Sequence, residues 1–154
     1  MDNEQLQSVY YAWCRAQIVK ECFEQSHVDT PIESDHDVLA STAGKFVFIW
    51  HGLLFAVVEF LDKKHEIPLS ISEEVRILYA PLQRFRNAVF HVQNHPISMK
   101  YDELIGLPHA LSRVAKVHEE CGRYICNQLG YQFPPFVGIP ESLNIRIYPD
   151  NKSA

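Results

Sequence analysis

The stretch from Phe46 to Leu61 is the most apolar in the chain, broken only by His51, Gly52 and Glu59, and it constrains the fold more than any other feature. A bilayer span takes roughly 20 apolar residues, so a run this short and this interrupted is expected to stay out of a membrane. A helix that is apolar on nearly every side must instead be wrapped by other helices. The expected central helix opens near Asp35 or His36 and carries Val38, Leu39, Phe46, Trp50, Leu53, Leu54, Val57 and Leu61. Lys63, Lys64 and His65 close it, cations that suit the negative end of a helix dipole.

The wrapping helices are legible by the same periodicity. Leu6, Val9, Tyr10, Trp13, Ala16 and Cys22 recur near helical spacing over about residues 3–25, and Ser26, Asp29, Pro31, Ser34 and Asp35 break that segment. Beyond Pro68, Ser70 with Glu73, or Ser72 just after it, supplies an N-cap signature. Pro81 either kinks this third segment or sits in the first turn of a new helix. Both options put Leu82 to His91 on helix, ended by Pro96. A fourth segment, about Tyr101 to Leu129, lines up Leu104, Leu107, Leu111, Val114, His118, Cys121 and Ile125, with Pro108 as an alternative start and Gly130 as a natural stop. The expected fold class is all-α, a four- to five-helix bundle over residues 1–130. A proline-containing tail, 131–154, is expected to pack on the bundle or on a dimer interface.

Composition narrows the function classes. The 154 residues are one domain's worth, with a formal charge of −5. Broad binding along a nucleic-acid backbone needs a basic surface, so any nucleic-acid contact is expected at a local cationic cleft. Cys14, Cys22, Cys121 and Cys126 form no C-x-x-C pair and are expected as reduced thiols of a cytoplasmic protein, although a bridge between first and last helices stays geometrically open. The acidic and polar start is not expected to act as a secretory signal. Gly-rich phosphate loops, G-x-S-x-G and catalytic-cysteine signatures are absent from the sequence.

One constellation carries chemistry: Arg86-Asn87-Ala88-Val89-Phe90-His91. Asn87 and His91 stand four residues apart and share a helix face. Arg86 is about 100° round the helix from Asn87, with a stem long enough to swing toward the same cleft. The set offers a permanent cation, a carboxamide, and an imidazole that titrates near neutrality. RNA strand cleavage by 2′-hydroxyl attack needs such parts: a base for the hydroxyl proton, an acid for the leaving 5′-oxygen, and a cation for the phosphorane oxygens. A second Arg-to-His match, Arg113 to His118, lacks the asparagine, and its histidine lies on the apolar stripe, so it is expected to be a core histidine with a partner.

The R-N-x-x-x-H pattern on a late helix of a small all-α domain resembles the HEPN superfamily. That resemblance implies a HEPN-like bundle, a homodimer, and a metal-independent endoribonuclease, with Arg86, Asn87 and His91 as its catalytic set and no cofactor. It implies RNA as substrate, an antitoxin or other partner protein, and toxin–antitoxin or antiphage defence as settings. Val92 and Gln93 follow His91 where toxins paired with a nucleotidyltransferase antitoxin often carry tyrosine, which points away from that class. The superfamily also includes members that hold ligands or partners without cutting, so a non-catalytic binding module is the alternative.

A third alternative is a metal bundle similar to the DinB type. His91 and His95 have i,i+4 ligand spacing, and His51, Glu59 or His118 could complete a site. Asn94-His95-Pro96 reads as a helix end, where that spacing fails, and no metal is expected. His51, between Trp50 and Gly52, is expected in the core, either bonding across the bundle or reaching the cleft.

Overall fold

The computed structural model describes residues 1–28, 42–90, 103–104 and 106–134. Four α-helices run through them: α1 (Asn3–Val28), α2 (Thr42–Lys63), α3 (Ser72–Phe90) and α4 (Ala110–Leu129), with a 3₁₀ turn at Leu69–Ile71 before α3. No strand occurs among the described residues. The protein is an all-α helical bundle. α1 packs most extensively on α2, α2 on α3, and α4 closes the ring against α1.

Each helix starts and stops for local reasons. Asp2 caps α1, its Oδ1 accepting from the Gln5 N–H at 2.8 Å, which satisfies one of the orphan donors of a helix start. Leu6, Val9, Trp13 and Ala16 then bury one face. α2 ends at Lys63 and unwinds through His65, whose φ of +57° is left-handed. The Glu66 N–H donates back to the Leu61 carbonyl at 2.9 Å, so a histidine fills the place where glycine usually ends a helix. The short 64–71 connection returns α3 antiparallel to α2.

The start of α3 differs from the capping signature in the sequence. Ser70 Oγ donates to Glu120 on α4 at 3.1 Å, and Ser72 Oγ to the Leu69 carbonyl at 3.1 Å. Glu73 engages Arg76 instead of reaching back. The intervening 3₁₀ turn moves both hydroxyls off the capping geometry. Pro81 resolves as an interior residue: α3 is one helix, with Pro81 buried in its core face. α4 starts at Ala110, later than the periodicity suggests, behind His109 at φ +58°. Leu111 is consequently exposed rather than on the apolar stripe, while Val114, Val117, His118, Cys121 and Ile125 are buried. Gly130 ends α4 at φ +70°, as its position suggests.

α2 is the wrapped helix. Val47, Trp50, Leu54, Phe55, Val57, Val58 and Leu61 are all buried. One expectation needs correction: by length and composition alone Gly44–Lys63, 20 residues with mean hydropathy 1.6, is long and apolar enough to cross a membrane. Here more than half of that stretch is buried against the rest of the chain, as a core helix must be. The expected opening of this helix near Asp35 lies outside the described residues, as does most of the tail. The tail's first residues pack on the bundle: the Tyr131 ring sits 5.1 Å from Tyr10, and Phe133 sits 5.9 Å from Trp13. All four cysteines are free thiols, and burial pushes Cys121 up to about 12.

Candidate functional site

α3 carries Arg86 and Asn87 close to Phe90, the last of its described residues. His91 is the next residue in the chain and lies outside the described residues, as does His95. The structure therefore describes two of the three expected site residues. Both are half-buried, and Arg86 borders the core face of the helix, which Val75, Leu78, Leu82, Phe85 and Ala88 make.

Arg86 reaches across to α2. Its guanidinium carbon lies 5.1 Å from the centre of the Phe55 ring, inside cation–π range. Its Nη2 is 3.9 Å from Glu59 Oε1, too far for a hydrogen bond. The same carboxylate oxygen sits closer to Lys63, at 3.1 Å. Glu59 is thus shared by two cations, and the shorter pair goes to Lys63. Arg86 Nε is buried and has no hydrogen-bond partner among the described residues, although the side chain as a whole is 29% exposed. A guanidinium has five donors in a fixed fork, and its one ion pair among the described residues leaves most of them available to an oxyanion. Tyr79 stands two turns earlier on α3, its ring 5.2 Å from Phe55. Burial and the nearby Asp62 and Glu59 carboxylates hold its hydroxyl above the usual tyrosine range.

The other two candidate histidines are deep in the core. His118 has the partners its place on the apolar stripe demanded. Trp50 Nε1 donates to His118 Nδ1 at 3.2 Å, and His118 Nε2 meets Gln17 Oε1 at 2.7 Å. Since Nδ1 accepts, the proton is assigned to Nε2, which donates to the glutamine. Trp13 caps the arrangement by donating Nε1–H to the His118 carbonyl at 2.8 Å. His51 is different: it is 1% exposed and neither ring nitrogen has a hydrogen-bond partner among the described residues. Its neighbours are the Trp50 and Phe85 rings. Burial pulls both histidines down to about 3, so both are neutral at physiological pH and neither is a poised acid or base. Among the described residues no three histidines, cysteines or carboxylates converge as a metal site.

Sequence reasoning missed a second concavity. A cleft of about 370 Å³ opens between α1 and α4, with Gln17 and Lys20 on one wall and His118 and Arg123 on the other. The signal was present as Gln17 and Lys20 at i,i+3 on α1, but nothing in the sequence paired that face with α4. No family model, curated protein or solved structure matches this chain.

Proposed function

We propose that the chain is a HEPN-like, metal-independent endoribonuclease that cuts RNA by 2′-hydroxyl attack. Arg86 anchors the scissile phosphate and stabilises charge on its oxygens, Asn87 orients, and His91 transfers the proton. In the reaction the 2′-oxygen bonds to phosphorus, its proton passes to a base, and the 5′-oxygen leaves with a proton. The products are a 2′,3′-cyclic phosphate and a 5′-hydroxyl. A two-fold dimer would bring a second copy of the set to the same cleft, supplying both a base and an acid.

The observation that carries this reading is the state of Arg86. Its guanidinium is braced on Phe55, partly open to solvent, and held by a carboxylate only at 3.9 Å. That is a cation with donors to spare, five positions before His91 in the sequence. Incubation of the purified protein with a structured RNA, with chelator present, should give cleavage products ending in cyclic phosphate. Arg86→Ala and His91→Ala should each lower the rate at least about 100-fold, the scale of losing a charge-stabilising or proton-transfer group, with unchanged thermal melting. Equal cleavage by Arg86→Ala, or complete loss on chelation, would rule the mechanism out.

The non-catalytic binding module is the second reading, and the α1/α4 cleft is the observation that favours it. Under that reading RNA stays intact at any protein concentration.

A further inference from the structure

We propose that the cleft between α1 and α4 binds a small organic anion with a flat apolar body, its charged head held between Lys20 and Arg123. The site stands apart from Arg86, which faces the groove between α2 and α3, and needs nothing from the nuclease reading. Its volume, about 370 Å³, falls at the small-ligand end of protein pockets.

The polarity of the walls selects the ligand's charge. His118 Nε2–H is spent on Gln17 Oε1 at 2.7 Å, which fixes the glutamine amide with its nitrogen pointing onward. One amide N–H goes to Glu21 Oε1 at 2.8 Å, and the other has no acceptor among the described residues. Lys20 lines the cleft, pairs with Glu24 and has its ammonium 6.0 Å from the centre of the Trp50 ring. Arg123 engages Glu119 at 2.7 Å and Glu120 at 3.5 Å. Glu119 is the one carboxylate lining the cleft, and its near oxygen is already occupied by that guanidinium. Lys20 and Arg123 are both paired with carboxylates, yet an ammonium has three donors and a guanidinium five, so each keeps N–H groups beyond those pairs for a phosphate or carboxylate.

The remaining surface selects the body. Ala115, Phe133 and Pro134 supply an apolar side, and the Arg123 guanidinium carbon lies 4.8 Å from the Phe133 ring centre. A planar ring entering there meets an aromatic face and a stacked cation. The floor is held by three hydrogen bonds: Trp13 donates to the His118 carbonyl, Trp50 donates to its ring, and the ring meets Gln17. Both indoles therefore report on anything seated against it.

Tryptophan fluorescence and calorimetric titration with phenyl phosphate, benzoate and inorganic phosphate test the proposal. Phenyl phosphate or benzoate should bind saturably, and the stronger of the two identifies the head group. Inorganic phosphate should bind at least tenfold more weakly than phenyl phosphate. Lys20→Met and Arg123→Met keep the apolar stems and should each weaken the aryl anion at least tenfold. Ala115→Leu narrows the cleft without touching a charge and should do the same, whereas Arg86→Ala should leave binding intact. Absence of saturation by either aryl anion up to about 10 mM, well past weak-ligand affinities, overturns the proposal. So does binding that survives all three cleft variants, or inorganic phosphate binding as tightly as phenyl phosphate.

Discussion

At Gly122 the Trp13 ring of α1 packs directly against the backbone of α4. A Cβ there would fall 2.7 Å from Trp13 Nε1 and nearer still to the ring carbons, and Trp13 cannot retreat because its N–H is bonded to His118. Gly122→Ala should therefore destabilise by about 1–3 kcal/mol, the scale of overpacking a filled core, read as a lower urea midpoint. His51 carries the opposite expectation. Its unpartnered nitrogens have a desolvation penalty of about 1–3 kcal/mol, so His51→Met, close to it in volume, should leave stability at pH 7 unchanged or raised. A large drop in melting temperature would mean that the imidazole has an essential partner. At this scale the sequence announced that His118 would be partnered, because a polar ring on an apolar stripe has to be satisfied. It gave no means of naming Trp50 and Gln17, which lie 68 and 101 positions away.

The helices show where local chemistry suffices and where it does not. Asp2 and Gly130 act as their residue types dictate, because a cap involves groups within one turn. The end of α2 obeys the same geometry with an unsuited residue, since His65 holds φ +57° without glycine's freedom. His65→Gly should raise stability by about 0.5–1 kcal/mol in thermal or urea melts, the relief of left-handed strain less the added chain entropy. No gain would mean that the imidazole contributes contacts that offset its strain. Pro81 was undecidable from sequence, because a kink and a fresh start place the same residues on helix. Packing decided it: Leu78, Pro81, Leu82 and Phe85 bury one continuous face, and that burial holds the helix together across a missing backbone donor.

Across the whole molecule, two neutral imidazoles in the core couple folding to pH. His51 and His118 are held at about 3, well below the ordinary 6.5. Above about pH 6.5 neither state takes up protons and stability is full. Below it the unfolded chain binds protons that the folded bundle refuses, so stability falls steadily as pH drops from 6.5 toward 3. Each unit is about 1.4 kcal/mol, and domains hold only about 5–15 kcal/mol in total. Acid unfolding is therefore expected well before the carboxylates titrate fully, and Glu66, held low by Tyr124 and the chain's amino terminus, adds to the loss further down. Melting temperature measured from pH 7.5 to 4 should decline across this window, less steeply for His51→Met. A flat profile would show that the core imidazoles are reached by water.

The sequence by itself determined the helical class, the central place of α2 and the helix ends at Lys63 and Gly130, because periodicity, capping and turn residues act over one or two turns of chain. It also singled out Arg86 and Asn87 by their spacing. Only the tertiary structure decided what Arg86 meets: the Phe55 ring and a Glu59 already shared with Lys63. It alone brought Gln17 and Lys20 opposite Arg123. Such pairings depend on how whole helices are turned against one another, and that rotation is fixed by the summed fit of all their buried faces, which no single segment encodes.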